Sequence, residues 1–244
     1  MSRDQFELHY QPLVNLRTEE TIGFEALLRW RHPDRGLVLP DEFIGHAEET
    51  GLIEPIGEWV LREACSAAYQ WPDHIRISVN LSSVQFRKKH LVDAVIFALA
   101  ESCLPANRLE LEITESVLLE HTAQNIEMLH ELRRLGVRIV LDDFGTGFSS
   151  LLYLQQFPFD KIKIARSFVS EMPSNPSSSA IVCAINALAR SLDILTLAEG
   201  VETTEQAQLL RLSGCGEAQG FLFGKPLEAP ELCLDAVARS HDNA

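Results

Sequence analysis

Short apolar runs alternate with longer stretches of helical spacing along the chain from about residue 76 onward. The runs have the length of strands, and the longer stretches repeat apolar residues every three or four positions, which is typical of helices with one buried face. Strands are predicted over residues 76–80, 109–114, 137–143, 160–164, 194–199 and 218–221. Helices are predicted over residues 91–103, 122–135, 149–155, 180–192 and a last segment that Thr204 caps and that ends before Gly214. This alternation predicts a parallel sheet.

The N-terminal part has a different pattern. Residues 6–14 and 21–30 resemble strands, and the polar link between them is long enough for an antiparallel hairpin but not for a parallel crossover. Helices are predicted over residues 41–50 and 55–69. Two strands here and six beyond residue 76 make eight, which predicts a single domain over residues 1–244 with a closed (β/α)8 barrel fold, irregular at its first strand. The Pro/Ser-rich loop at 173–179 is too short for a domain linker.

Composition limits the classes of partner that the chain is expected to bind. With 21 Lys+Arg against 35 Asp+Glu, the chain has a formal charge of −14, which argues against a broad surface for duplex nucleic acid or anionic membrane. A small anionic ligand at a local site is still allowed. No apolar run approaches the roughly 20 residues that span a bilayer, and the N-terminus lacks the apolar core of a signal peptide. The five scattered cysteines make a disulfide framework improbable, so a cytoplasmic location is predicted.

Polar residues occupy the carboxyl ends of the six predicted parallel strands. These residues are Asn80, Glu112, Asp142 with Asp143, Lys163, Glu199 and Gln219. Strands of a parallel barrel are covered on both faces and are expected to be apolar, so the polar ends need an explanation. Any single one could be a helix cap or a solvated loop end. Together they favour an active site, because catalytic residues of barrel enzymes collect at that end of the barrel.

The charge of this group indicates what it binds. Its acidic members, with Lys163 as their only cation, are Glu25, Glu112, Asp142, Asp143, Glu199 and Glu202. Two carboxylates 4 Å apart repel by about 4 kcal/mol at an effective dielectric constant of 20, so the group either holds protons or binds metal. Carboxylate oxygens and the Asn80 carbonyl favour Mg²⁺, Mn²⁺ or Ca²⁺. The adjacent aspartates suit two metals, and Lys163 and Arg29 could contact phosphate oxygens.

Eight sequence blocks in order resemble the EAL-domain family of bacterial cyclic di-GMP phosphodiesterases. The signature Glu25-Ala26-Leu27 lies within GFEALLRWRHP. The other blocks are AEETGLI (47–53), NLS (80–82), LEITES (111–116), DDFGTGFSS (142–150), KIARSFV (163–169), AEGVET (198–203) and QGFLFGKP (219–226). The resemblance implies a TIM-like barrel with an antiparallel first strand, which agrees with the predicted hairpin.

The resemblance also implies roles for individual residues. It implies a site for two Mg²⁺ or Mn²⁺ ions, with ligands Glu25, Asn80, Glu112, Asp142, Asp143 and Glu199. Lys163 and Glu199 are the implied catalytic residues, and Ca²⁺ is expected to inhibit because its coordination is larger and looser. The implied substrate-binding residues are Gln11, Leu28, Arg29, Glu202, Gln219 and Phe221. Glu115 is implied to anchor the glycine-rich loop that follows Asp143.

One departure from the family pattern divides the functional hypotheses. The family usually reads K-I-D-R-S-F, whereas this chain has Ala165 in place of the aspartate. The leading hypothesis is metal-dependent hydrolysis of cyclic di-GMP to linear pGpG, slowed by Ala165, whose position is expected to face the barrel mouth. The alternative is a receptor that binds the dinucleotide with little hydrolysis, and a third is an interaction domain. The resemblance further suggests a homodimer, and sensor or GGDEF-type domains in a longer protein.

Overall fold

The computed structural model describes residues 5–86, 90–119, 123–145, 154, 157 and 159–228. The strands of this part are β1 (Phe6–Asn15), β2 (Thr21–His32), β3 (Gly36–Val38), β4 (Arg76–Leu81), β5 (Leu109–Thr114), β6 (Arg138–Phe144), β7 (Lys161–Ile164), β8 (Leu195–Ala198) and β9 (Glu217–Gln219). The helices are α1 (Ile44–Thr50), α2 (Ile53–Tyr69), α3 (Ser83–Phe86), α4 (Leu91–Ser102), α5 (Glu115–Leu119), α6 (Ala123–Arg134), α7 (Arg166–Glu171), α8 (Pro176–Ser191) and α9 (Thr204–Ser213).

The sheet closes into a barrel of eight strands, as the sequence predicts. Strands β2 and β4 to β9 are paired in parallel, and β1 closes the ring by pairing antiparallel with both β2 and β9. The short β3 pairs only with the outer end of β2 and stays outside the ring. The antiparallel first strand is therefore confirmed.

The β1–β2 hairpin explains why Glu25 is not at a strand end. The two strands pair from Phe6 opposite Trp30 to Val14 opposite Thr21, and β2 then continues outward to pair with β3. Glu25 consequently lies in the middle of β2, yet it is level with the mouth of the barrel. The helices cover the barrel with apolar faces; α2, for example, buries Leu61 and Ala64 completely. No helix among the described residues is long and apolar enough to cross a membrane.

Several predicted boundaries are corrected by local capping. Thr203, not Thr204, caps α9, because its hydroxyl accepts a hydrogen bond from the Gln206 backbone N–H in a capping box. Helix α8 starts at Pro176, capped by Asn175, so the predicted loop at 173–179 is partly helical. The last strand ends at Gln219, two residues before the predicted end. The short elements β3, α3, α5 and α7 were not predicted, and the predicted helix at 149–155 lies outside the described residues apart from Leu154.

A buried ionic layer fills the barrel near the amino-terminal ends of its strands. Lys161 Nζ lies 2.6 Å from Glu110 and 2.7 Å from Glu217, and Arg76 pairs with the same two carboxylates at 3.1 and 2.8 Å. Ser78 donates a further hydrogen bond to Glu110. We call this group, Arg76, Lys161, Glu110 and Glu217, the lower layer. Its two cations match its two anions, so it is neutral by itself.

Candidate active site

Lys163 lies at the centre of a carboxylate cluster in the barrel mouth. It is two residues beyond Lys161 on β7, so the alternation of strand side chains points both lysines into the barrel. Its Nζ lies 2.6 Å from Glu112 and 2.7 Å from Glu199. The distances to Glu25 and Asp142 are both 3.4 Å. One fully buried ammonium group is thus shared by four carboxylates from four different strands or strand ends.

Two amides hold Glu25 in place. Asn80 on β4 donates to Glu25 Oε1 at 2.6 Å, and Gln219 on β9 donates to Oε2 at 2.6 Å. Gln219 also donates to Gln11 on β1 at 3.0 Å. Burial raises the pKa of the Glu25 carboxyl, but the charge of Lys163 and the two amide hydrogen bonds outweigh burial and hold that pKa below its usual value. Glu25 is therefore a fixed carboxylate.

A bulge in β6 brings two consecutive aspartates to the same site. Successive residues of a regular strand point to opposite faces, but the β6–β7 register shifts between Leu141 and Phe144. Asp143 adopts a left-handed conformation with φ 53°, which aspartate tolerates better than most residues. As a result, one carboxylate oxygen from each of Asp142, Asp143 and Glu199 lies within 4.8 Å of the others. Three converging oxygens at this spacing could hold a metal ion.

Burial raises the pKa values of three carboxyl groups in the cluster, those of Glu112, Asp143 and Glu199. Burial and the nearby charge of Glu25 raise the pKa of Glu112 well above its usual value, although Lys163 opposes them. Burial also raises the pKa of Glu199 to about 7, against the lowering effect of Lys163. Burial and the charge of Asp142 raise the pKa of Asp143. For Lys163, burial lowers the pKa but the surrounding carboxylates raise it well above its usual value, so this side chain stays charged.

The mouth contains an excess of carboxyl groups over cationic side chains that the lower layer lacks. Five carboxylates, those of Glu25, Glu112, Asp142, Asp143 and Glu199, face one ammonium group among the described residues. The lower layer, built from the same strands, pairs each carboxylate with a cation. Because the same barrel neutralises one layer and not the other, the excess at the mouth fits a cation site with oxygen ligands.

Two cavities adjoin the cluster. The first, of about 500 Å³, is lined by Glu25 and Glu199 together with five of the predicted substrate-binding residues: Gln11, Arg29, Glu202, Gln219 and Phe221. The sixth, Leu28, lies instead along the neighbouring cavity of about 580 Å³, which Asn80 also lines. Leu27 and Asp41 border both cavities. The structure therefore brings the predicted residues to two adjoining cavities at the barrel mouth.

Comparison with known proteins identifies the family. The EAL domain family matches residues 1–226. The chain belongs to the EAL domain family. It is 51% identical over its full length to protein y4lL of Sinorhizobium fredii, and 47% identical over 98% of its length to the bifunctional diguanylate cyclase/cyclic di-GMP phosphodiesterase MucR of Pseudomonas aeruginosa. These matches cover 30% and 35% of the two relatives, so the chain spans about a third of their length.

A solved EAL structure has the same fold. The PaMucR phosphodiesterase in complex with c-di-GMP superposes with a TM-score of 0.90 at 46% identity, covering 94% of this chain and 95% of that one. Strand order and the antiparallel first strand here are thus those of an EAL barrel.

The alanine that stands where the sequence resemblance implies an aspartate lies at a helix cap. Ala165 follows β7 directly, is buried, and occupies the N-cap position of α7 without any side-chain cap bond. Its backbone carbonyl accepts a hydrogen bond from the Phe168 N–H at 3.1 Å. An aspartate at this position could cap α7 as well as influence the mouth. The alternation of side chains along the strand did not predict this capping position.

The described segment after the aspartates is tied to α5. Glu115 accepts a hydrogen bond from the Gly145 backbone N–H at 3.0 Å. Gly145 has φ 98°, a conformation that favours glycine. Residues 146–150 of the predicted glycine-rich loop lie outside the described residues.

Two further residues of the first cavity were missed from the sequence. Arg166 pairs with Glu202 at 2.7 Å across the cavity rim, and Asp41 borders the cavity from the turn before α1. Arg166 belongs to the KIARSFV block, so the sequence motif could have indicated it as a site residue. Asp41 lies outside every quoted block, and only the folded hairpin brings it to the mouth.

Proposed function

We propose that this EAL domain hydrolyses one phosphodiester bond of cyclic di-GMP to give linear pGpG, with two Mg²⁺ or Mn²⁺ ions. The observation that carries the proposal is the excess of five carboxylates over one lysine at the barrel mouth. Relatives that match nearly the whole chain support the substrate. They include MucR and the cyclic di-GMP phosphodiesterase NbdA of Pseudomonas aeruginosa, 43% identical over 98% of this chain.

The donor set suits two hard divalent cations. The residues that would hold the first are Glu25, Asn80, Glu112 and Asp142, and those for the second are Asp142, Asp143 and Glu199. Oxygen ligands of this kind favour Mg²⁺ and Mn²⁺, and the close approach of three oxygens from Asp142, Asp143 and Glu199 supports the second position. When bound, the two ions would supply Lewis-acid stabilisation of the phosphodiester oxygens. Cations at these positions would also lower the pKa values of the carboxyls that hold protons without them.

Lys163 and Glu199 are the proposed catalytic residues. Lys163 stays charged, so its ammonium group can donate hydrogen bonds to a phosphate oxygen or orient the attacking water. Glu199 lies at the cavity edge, and bound cations would keep its carboxylate ionised near neutral pH, so it can accept a proton from the attacking water.

The first cavity is the proposed place of the scissile half of the dinucleotide. Arg29 lines it and can pair with phosphate oxygens, while the half-exposed ring of Phe221 offers a face on which a guanine can stack. The amide groups of Gln11 and Gln219 form one hydrogen-bonded chain to Glu25, so they connect the substrate side of the cavity with the metal ligands.

A binding module with little hydrolysis is the second candidate, and one residue favours it. Ala165 replaces the usual aspartate, and a charged group that acts through metal ligands or bound water is typically worth 10–100-fold in activity. We therefore propose that the chain binds cyclic di-GMP well and hydrolyses it slowly.

Product analysis with different cations tests the proposal. Purified protein is incubated with cyclic di-GMP in Mg²⁺, Mn²⁺ or Ca²⁺, and the products are separated by chromatography. Linear pGpG is expected in Mg²⁺ or Mn²⁺, and little in Ca²⁺, whose looser coordination misplaces the reacting groups. Binding without cleavage under every condition would favour the receptor. Equal rates with Ca²⁺ and Mg²⁺ would contradict the calcium prediction.

A further inference from the structure

The turn after β4 is built as a helix cap. The Ser82 hydroxyl accepts a hydrogen bond from the Val84 N–H at 3.1 Å, and the Gln85 side chain accepts one from the Ser82 N–H at 2.9 Å. This reciprocal pattern is close to a capping box, with serine at the N-cap of α3 and glutamine three residues later. It fixes the backbone just beyond Asn80.

Two other helices hold the same turn. The Ser82 hydroxyl donates to Glu48 Oε1 on α1 at 2.6 Å, so this one hydroxyl is both donor and acceptor. The Gln85 amide packs on α2 at Gly57, where an added Cβ would stand 2.2 Å from Gln85 Nε2. Glu48, Ser82 and Gln85 line the cavity of about 580 Å³ that Asn80 and Leu28 also line.

Asn80 lies at the end of β4, two residues before the serine that caps this turn. Its Nδ2 donates to Glu25 at 2.6 Å, which assigns the amide nitrogen to Glu25 and leaves the amide carbonyl oxygen as an acceptor. It lies two residues before Ser82, and Leu81 between them is buried and paired with Ile113. The direction of the Asn80 side chain therefore depends on a short backbone segment with one end fixed in the sheet and the other in the cap.

We propose that Glu48 is a positioning residue for the metal site, acting through Ser82 on Asn80. The Glu48 carboxylate accepts the Ser82 hydrogen bond and so holds the capped turn, and the turn would keep the Asn80 carbonyl oxygen available to a cation that Glu25 also holds. This inference rests on the proposed function, since it assigns Asn80 as a metal ligand. It gives the AEETGLI block a role in metal binding that charge alone would not indicate.

Metal binding by variants tests the inference without depending on turnover. The dissociation constant for Mn²⁺ is measured by calorimetry on the metal-free protein for Glu48→Ala, Ser82→Ala and Glu48→Gln. Glu48→Ala and Ser82→Ala are expected to weaken Mn²⁺ binding by about 10–100-fold, the usual effect of losing a group that orients a ligand. Glu48→Gln is expected to stay within about threefold of the parent, because its amide oxygen still accepts the Ser82 hydrogen bond. The double variant Glu48→Ala/Ser82→Ala should be no weaker than either single one.

Two controls separate the possible failures. Glu49→Ala removes the neighbouring exposed carboxylate of α1 and is expected to leave Mn²⁺ binding unchanged. Glu25→Ala removes a proposed ligand directly and is expected to weaken binding. Parent-like Mn²⁺ affinity in Glu48→Ala, together with weak binding in Glu25→Ala, would overturn the positioning role alone. Parent-like affinity in Glu25→Ala would overturn the proposed metal site and this inference with it. If Glu48→Ala does not fold, the Mn²⁺ affinity of Ser82→Ala tests the positioning role instead.

Discussion

Glu25 and Glu112 share one ammonium group, yet their pKa values move in opposite directions. Lys163 is closer to Glu112, at 2.6 Å, than to Glu25, at 3.4 Å. Glu25 in addition accepts two amide hydrogen bonds, which favour its ionised form and lower its pKa. The pKa of Glu112 is instead raised, first by burial and then by the charge of Glu25. A proton on Glu112 is therefore the substitute for a cation, and a bound metal is expected to displace it.

Removing one carboxylate of the cluster should abolish activity without unfolding the barrel. Glu25→Ala and Asp142→Ala are each expected to reduce hydrolysis of cyclic di-GMP by more than about a hundredfold, because residues at this end of a barrel serve chemistry more than stability. Steady-state kinetics and thermal melting measure the two effects. A variant with ordinary melting and near-normal turnover would show that the site is misplaced.

The raised pKa of Glu199 predicts a pH dependence of stability in metal-free protein. Burial raises the pKa of this folded carboxyl to about 7 from 4.5, so the folded state binds a proton that the unfolded state has lost. Stability is then lost as the pH rises from about 4.5 through 7, by roughly 3 kcal/mol at about 1.36 kcal/mol per unit. Urea unfolding in chelator at pH 5 and 8 should show this loss in the parent and a smaller one in Glu199→Gln. Parallel losses in both proteins would contradict the assignment.

At the scale of elements, β7 and α7 meet at Ala165, where the resemblance noted in the sequence implies an aspartate. Ala165→Asp should cap α7 and stabilise the protein by about 1 kcal/mol. It should also raise turnover about tenfold or more, if the carboxylate acts at the mouth. Denaturant unfolding and single-turnover kinetics measure the two effects separately.

Ala165→Asn is the matched control for that substitution. Asparagine caps a helix as well as aspartate but carries no charge, so it should stabilise the protein without the gain in rate. Equal gains in rate from both variants would assign the effect to the cap. If the parent already hydrolyses cyclic di-GMP rapidly and Ala165→Asp does not change the rate, the hypothesis of a receptor with little hydrolysis loses its support.

The elements also show which features the sequence could predict. Strand–helix alternation and the short link before Thr21 were sufficient for the closed barrel with its antiparallel first strand, because both depend on local pattern and length. The polar residues at the carboxyl ends of the predicted strands indicated which end of the barrel holds the candidate site. The bulge at Asp142 and Asp143 was not predictable, since it follows from pairing with β7, which is distant in sequence. Neither was the cap position of Ala165, which depends on where α7 begins.

At the scale of the whole molecule, the barrel interior separates a structural charge layer from a functional one. Lys161→Met would leave the buried Glu110 and Glu217 with Arg76 alone, and breaking a buried pair in this way typically costs about 3–5 kcal/mol. Turnover at saturating metal should change little. Arg133→Met, which breaks the more exposed pair with Asp160, should cost less than about 1 kcal/mol. A Lys161→Met protein as stable as the parent would refute the structural role of the lower layer.

Position along the strand separated Glu112 and Lys163 from Glu110 and Lys161 in the sequence, but it did not predict that the lower layer is neutralised. That balance depends on partners from β4 and β9, which are distant in sequence. Only the closed barrel shows that Arg76 and Lys161 balance Glu110 and Glu217 in the lower layer, whereas the carboxyl groups at the mouth outnumber their one lysine.

The rate of pGpG formation as a function of free Mn²⁺ tests the central claim most directly. Metal-free protein is assayed with cyclic di-GMP in metal buffers from chelator excess to saturation. The account predicts no product in chelator and a rate that rises with Mn²⁺ to a plateau, because the proposed reaction depends on cations held by the carboxylates at the mouth. Full hydrolysis after exhaustive removal of metal would contradict it.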